Sequence, residues 1–380
     1  MDPAHPCEVL LSLPNLAGSS DRALRVVAIG GGTGLSTLLR GLKAFVPIED
    51  RRRTPRPNHG ARSASSARTG CLTIPQLSAV VTVTDDGGSS GRLREDFNIL
   101  PPGDIRNCMV ALSEDEHLLA QLFRYRFPQG ELQGHNFGNL FVAALCNITG
   151  DFAQAVQMSS QILRARGRIF PATTANVTLA AQMDDGSIVR GETRITASKQ
   201  KITELMLEPA EVDPLPQTLE AIANADLITL GPGSLYTSLI TNLLVRGIPE
   251  ALAASRATKV YVCNLMTQAN ESLGLTASEH IEKILQHAGS VRGPLFDYAL
   301  INTAPISPAL LAQYAGEGQE PILADLDHIR ALGVEPITGS FVHEGDVLRH
   351  DYDRLAEALL ALPTPRPIPD APQKIPQFLT

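Results

Sequence analysis

RVVAIGGGTGLSTLLRGLK, residues 25–43, sets the frame for the whole chain. Arg25–Ile29 is a short, uninterrupted apolar run of the kind that fills a parallel sheet buried on both faces. Gly30-Gly31-Gly32-Thr33-Gly34 breaks it, and Leu35, Leu38, Leu39 and Leu42 then recur at the spacing of one helical face. The same grammar returns further on. LSAVVTVT (77–84) runs into Asp85-Asp86-Gly87-Gly88-Ser89-Ser90-Gly91, DLITL (226–230) into Gly231-Pro232-Gly233-Ser234, and KVYVC (259–263) into Asn264-Leu265-Met266-Thr267-Gln268. Strands alternating with helices predict an α/β chain, a Rossmann-like three-layer sandwich with a mostly parallel sheet. Ligands of such sheets bind beyond the carboxyl ends of the strands, where the strand order reverses. The loops quoted above all fall at that end.

Helical patterns are expected over Asp104–Phe127, with Asp104 as N-cap, from Gly134-His135-Asn136 to Leu145, over Asp151–Ala165, and over Tyr352–Leu362. Residues 168–208 alternate in the β manner around the turn Asp184-Asp185-Gly186-Ser187, which predicts an antiparallel β excursion inserted in the main fold. Tyr298–Ile301, Ile322–Leu323 and Val334–Ile337 are further strand candidates. The expected organisation is a flexible tail (1–23), one α/β domain (24–362) and a Pro-rich tail (363–380). Within the domain an Arg-, Ser- and Pro-rich loop insertion is expected over 49–76, its compositional break clearest at 49–70.

The formal charge of −8 argues against a general nucleic-acid binder, which needs a basic surface. The five cysteines are scattered and form no CxxC pair, so neither a disulfide framework nor a zinc site is expected. No apolar run is long enough to span a membrane, and the amino-terminal stretch has no basic n-region. Cytoplasmic residence is the corresponding expectation.

The loops carry the chemistry. Gly31, Gly32, Thr33 and Gly34 let backbone N–H groups converge on an anion at a helix start, though a tight strand-to-helix turn accounts for glycines equally well. Gly231, Gly233 and Ser234 repeat the logic, with Ser234 as a helix cap the plainer alternative. Asp85 and Asp86 are candidates to hold Mg²⁺ (Asp86 the named metal ligand), to accept from ligand hydroxyls, or to act as a base; an Asx turn is the structural alternative. Adjacent side chains at a strand end point opposite ways, so one of the two should face the ligand. Ser89, Ser90, Arg106, Asn107, His135, Asn136, Asn139, Asn264, Thr267 and Gln268 complete the candidate ligand set, with Tyr314 as a base-stacking residue and Arg349 as a phosphate contact. Asp85, Asp86 and His135 are the catalytic candidates if chemistry occurs.

GGGTGLSTLLRGLK, VTVTDDGGSSGRLREDF, PPGDIRNCMVAL, GHNFGNL, GPGSLYTSLITNLL and KVYVCNLMTQ together resemble the YvcK-type gluconeogenesis factors of the CofD-like superfamily, over about Arg25 to Leu362. The resemblance implies a Rossmann-like fold and binding of a nucleotide sugar of the UDP-N-acetylglucosamine type. It implies a role in morphogenesis and cell shape under gluconeogenic growth, with a homo-oligomer and regulatory protein partners as further expectations. Asn136 stands where the family usually has serine, and Ala269-Asn270 where Pro-Gly is commoner. The more distant CofD enzymes transfer a phospholactyl group to a deazaflavin precursor with Mg²⁺, which keeps a 2-phospho-L-lactate transferase as the alternative. A nicotinamide oxidoreductase is disfavoured, because the GxGxxG spacing is absent.

Overall fold

The computed structural model describes residues 22–48, 72–114, 118–268 and 271–364. The Arg-rich stretch 49–70, the pair Ala269-Asn270 and most of both tails lie outside these residues. Seven strands form the central sheet: β1 (Arg22–Gly30), β2 (Leu72–Val81), β3 (Arg168–Pro171), β7 (Leu227–Leu230), β8 (Thr258–Val262), β9 (Tyr298–Asn302) and β10 (Glu335–Gly339). β4 (Thr178–Met183), β5 (Ile188–Arg190) and β6 (Ile202–Glu208) form a separate antiparallel sheet, and β11 (Val342–Glu344) pairs with β12 (Leu348–His350) in a hairpin.

The helices that matter below are α1 (Gly32–Lys43), α2 (Gly88–Phe97), α3 (Gly103–Leu112), α4 (Leu118–Arg124), α5 (Phe137–Thr149), α6 (Phe152–Ile162), α7 (Glu192–Ala197), α8 (Pro216–Ala223), α9 (Ala277–Ala288) and α10 (Tyr352–Ala361). A π-helical turn, Leu235–Ile240, follows β7.

The central sheet runs in the order β10-β9-β8-β7-β1-β2-β3, and every pairing in it is parallel. From β1 the chain winds outward to β2 and β3, then returns to β7 on the other side of β1 and winds outward again. The order therefore reverses between β1 and β7, and a crevice opens at their carboxyl ends.

Alternation explains the layers. Val27 and Ile29 face a core shared with α8, α9 and the antiparallel sheet, whereas Val26 and Ala28 face one shared with α1, α3 and α10. Both faces of β1 are buried, which is why its sequence reads as an unbroken apolar run.

Several expectations shift. β2 begins at Leu72, so the insertion expected to 76 ends earlier: Leu72, Thr73 and Gln76 pair with β1. The single helix expected over Asp104–Phe127 is two helices, α3 and α4. The strand expected through Ile188–Thr196 stops at Arg190. Gly191 takes φ +93 and turns the chain into α7. Ile322–Leu323 is no strand; its neighbour Pro321 makes one isolated bridge to Met266.

Candidate functional site

The β1 and β7 loops meet back to back at the reversal point. A Cβ on Gly34 would stand 2.3 Å from the Pro232 carbonyl oxygen, and one on Gly31 would stand 2.6 Å from Thr82 Cγ2 and 2.8 Å from Asp104 Oδ2. Gly32 takes φ +62, a left-handed conformation that suits glycine. Thr33 is exposed at the start of α1. The β8 loop joins from the far side. Asn264 accepts from Gly233 N at 3.1 Å and donates to Gly233 O at 2.7 Å, and Gln268 Nε2 donates to Ser234 Oγ at 2.9 Å. Ser234 does not cap the π-helical turn. Glu271 does so instead: its carboxylate accepts from Tyr236 N, Thr237 N and Thr237 Oγ1.

On the β2 flank the two adjacent aspartates part company. Asp86 Oδ1 accepts from Thr193 N at 2.8 Å and Thr193 Oγ1 at 2.6 Å, which ties the loop after β2 to the first turn of α7. Asp85 Oδ1 accepts from Gly87 N at 2.9 Å, while its Oδ2 would stand 2.7 Å from a Cβ on Gly103. Asp104 is not an N-cap. Pro102 holds that position without a side-chain cap, and the Asp104 carboxylate instead accepts from the Gly32 backbone N–H.

Four carboxylates converge here. Burial raises Asp104 to about 6, with Asp85 adding to the rise and the Gly32 N–H and Arg106 opposing it. Burial raises Glu192 to about 9, reinforced by Asp85, Asp104 and Glu271 and opposed by a 3.2 Å bond from Thr84 Oγ1. Glu271 is also pushed up by burial. Asp104, Glu192 and Glu271 were outside the sequence-derived set. Asp104 had a signal in Pro-Pro-Gly-Asp, read only as a cap. Glu192 lay in a stretch read as strand.

His135 is buried and shares Ser89 Oγ with the Asn136 backbone N–H, at 3.3 and 3.2 Å. Burial and Arg92 lower its pKa, which favours the neutral ring. Asn136 caps α5 through Asn139 N, and Asn139 Nδ2 donates to Ser90 Oγ at 3.4 Å. Arg106 donates to Asn107 Oδ1 at 2.7 Å and is lowered by burial, then by Arg126.

Other candidates serve elsewhere. Thr267 is turned to the 320 loop, where Glu320 N donates to its hydroxyl at 3.0 Å. Tyr314 OH accepts from Leu348 N at 3.0 Å and so holds the β11–β12 hairpin that carries exposed Arg349. A cleft of about 390 Å³ lined by Ser255, Lys259, Asp297 and Thr364 lies at the opposite, amino end of the strands. There Lys259 Nζ donates to Ser255 O at 3.2 Å, and no glycine-rich loop borders it.

Among the described residues no helix is long and apolar enough to cross a membrane. A family model described as 2-phospho-L-lactate transferase CofD matches residues 26–342. The gluconeogenesis factor of Halalkalibacterium halodurans is 46% identical over 337 residues, 88% of this chain and 95% of that protein. That of Bacillus subtilis is 43% identical over 340 residues, 89% of this chain and 98% of that protein. A crystal structure of a Bacillus halodurans protein superposes with a TM-score of 0.79 at 45% identity, covering 89% of this chain and 99% of that one. The matched span runs from Val26 inside β1 through β10 and takes in every loop of the crevice, and on that ground the chain belongs to the CofD family and stands there among the gluconeogenesis factors.

Proposed function

We propose that this chain binds a nucleotide sugar of the UDP-N-acetylglucosamine type across the β1/β7 crevice and acts as a regulator of cell shape during gluconeogenic growth. The observation that carries the reading is the contact of Gly34 with Pro232: it leaves two glycine-rich turns side by side at the one point where the strand order reverses. Backbone amides at the start of α1 suit a diphosphate. Among the described residues, Asn139 Oδ1 and Gln268 Oε1 are buried acceptors without a protein partner, one from each side of the crevice. Sugar hydroxyls would satisfy both.

A diphosphate beside four carboxylates calls for a cation. Among the described residues no three His, Cys, Asp or Glu side chains are grouped to hold one. Mg²⁺ is ordinarily held by one or two carboxylates together with ligand phosphates, so the oxygen donors Asp85 and Asp104 fit that ion. When bound, it would offset charge on the phosphates; the chain's own part is to orient the donors. Asp86 serves this less well, because Thr193 takes up its Oδ1.

Isothermal titration with UDP-N-acetylglucosamine, with and without Mg²⁺, tests the reading. Saturable binding without turnover is expected, and the absence of heat with every UDP-sugar overturns it. The second reading is a transferase of the 2-phospho-L-lactate type. The concentration of Asp85, Asp104 and Glu192 at the crevice favours it, since carboxylates are among the groups a phosphoryl-transfer site uses. Mass spectrometry after incubation with a phospholactyl nucleotide and a deazaflavin acceptor separates the two.

A further inference from the structure

We propose that Ser238 is a ligand-binding residue of the β1/β7 crevice, its hydroxyl donating to a phosphate oxygen of the bound nucleotide sugar. The role rests on the nucleotide-sugar reading above and adds to it a residue that the glycine-rich loops do not contain.

The turn after β7 carries hydroxyls at Ser234, Tyr236, Thr237, Ser238 and Thr241, and all but one are engaged. Ser234 Oγ accepts from Gln268 Nε2 at 2.9 Å, and Tyr236 OH donates to Ile202 O at 3.4 Å. Thr237 Oγ1 donates to Glu271 Oε1 and Thr241 Oγ1 to Tyr236 O, both at 2.9 Å. The Ser238 hydroxyl has no hydrogen-bond partner among the described residues. It is not sealed in the core either, since the residue keeps 8% of its surface exposed. The amides of the turn are already taken. Glu271 accepts from Tyr236 N and Thr237 N, while Ser238 N and Leu239 N donate to Ser234 O at 3.0 Å. From this turn, only a side chain can reach an anion in the crevice.

Three glycines define where that side chain lies. A Cβ on Gly31 would stand 3.3 Å from Ser238 Oγ and one on Gly32 3.7 Å from it, while one on Gly233 would stand 3.2 Å from Ser238 Cβ. Ser238 is thus wedged between the two glycine-rich turns where they meet. Asn242, wholly buried, fixes it there: Nδ2 donates to Ser238 O at 2.7 Å and to Gly30 O at 3.2 Å. One amide clamps the serine backbone to the last residue of β1, which keeps the hydroxyl in register with the start of α1. That helix start is where a diphosphate is favoured. Asp104 Oδ2 comes within 2.8 Å of the same Gly31 position. A neutral hydroxyl donates to phosphate there without adding a second negative group, and a bond to a charged oxygen is stronger than one to a sugar hydroxyl.

Calorimetric titration of the native chain and Ser238→Ala with UDP-N-acetylglucosamine and with UDP, both in the presence of Mg²⁺, tests the assignment. The variant should lose about tenfold or more in affinity for each ligand, because both carry the phosphates. Its melting temperature should match that of the native chain, because no bond within the protein is broken. Equal affinity in the variant and the native chain overturns the proposal and leaves the nucleotide-sugar reading standing. A loss confined to UDP-N-acetylglucosamine overturns it too, since the hydroxyl would then meet the sugar. Early melting of the variant assigns the hydroxyl to the fold and counts equally against it. No heat from the native chain with either ligand removes the nucleotide-sugar reading itself, and the role of Ser238 with it.

Discussion

Glu192 carries the largest charge perturbation in the crevice, and its consequence for stability has a definite sign. Burial and the neighbouring Asp85, Asp104 and Glu271 lift its carboxyl from 4.5 to about 9. In the unfolded chain the group ionises near its ordinary value, so between about 4.5 and 9 the folded protein holds a proton that the unfolded chain has released. Stability therefore falls as pH rises through that window, by up to about 1.4 kcal/mol per pH unit for a single group. Glu192→Gln removes this contribution. The variant should match the native protein near pH 5 and exceed it in urea denaturation near pH 8; equal slopes for the two would refute the assignment. Sequence reasoning could not find this residue. Its chemistry comes from burial in the folded chain and then from Asp85, Asp104 and Glu271, none of them a near neighbour in sequence. What was legible at this scale was the pairing Asp85-Asp86; strand alternation does not explain its two directions, because β2 ends at Val81 and the loop beyond it turns Asp85 to Gly87 N and Asp86 to Thr193.

The elements divide by how local their causes are. β1, β2, β7 and β8 are readable because burial on both faces leaves an unbroken apolar run ending in glycine or a polar turn. α6 and α10 are readable because Asp151 and Asp351 cap them from the adjacent position. α7 has no such signal. Its first turn is held by Asp86, more than a hundred residues earlier, and Gly191 must lack a Cβ because one would stand 2.5 Å from Asp86 Oδ2. The π-helical turn after β7 is likewise capped from a distance, by Glu271, so Ser234 looked like the cap only because it was adjacent. Asp86→Ala should therefore act on an element. It should cost about 1 kcal/mol, the usual loss for a helix cap, and the loss should be concentrated in α7 and the antiparallel sheet. Hydrogen exchange should show faster exchange over 178–208 with β1 and β2 unchanged. Uniform acceleration across the chain would mean that Asp86 supports the crevice as a whole.

At the scale of the molecule, the two halves of the double winding are joined at both ends of the β1–β7 pair, and the joints differ in kind. At the amino end Arg25 binds Asp226 through its backbone N–H at 2.8 Å, its Nε at 3.0 Å and its Nη2 at 2.9 Å. That joint is polar and sits away from the loops. At the carboxyl end Gly231 N donates to Ile29 O at 2.9 Å and Asn242 Nδ2 to Gly30 O at 3.2 Å, and beyond them Gly34 packs directly against Pro232. Gly34→Ala would drive its methyl to 2.3 Å from the Pro232 carbonyl oxygen, a backbone atom with no flexible tip to yield. The amino-end pair stays fastened, so separation should occur at the crevice. A loss of about 1–3 kcal/mol, the usual cost of overpacking, should come with at least a tenfold loss of UDP-N-acetylglucosamine affinity in calorimetry. Gly32→Ala provides the contrast. Its Cβ would meet only Ser238 Oγ, at 3.7 Å, so the change strains a left-handed residue by about 1–2 kcal/mol without moving the loops. If the two variants lose stability alike but only Gly34→Ala loses the ligand, the spacing of the two halves sets affinity. If Gly34→Ala binds as the native chain does, the ligand does not lie between β1 and β7.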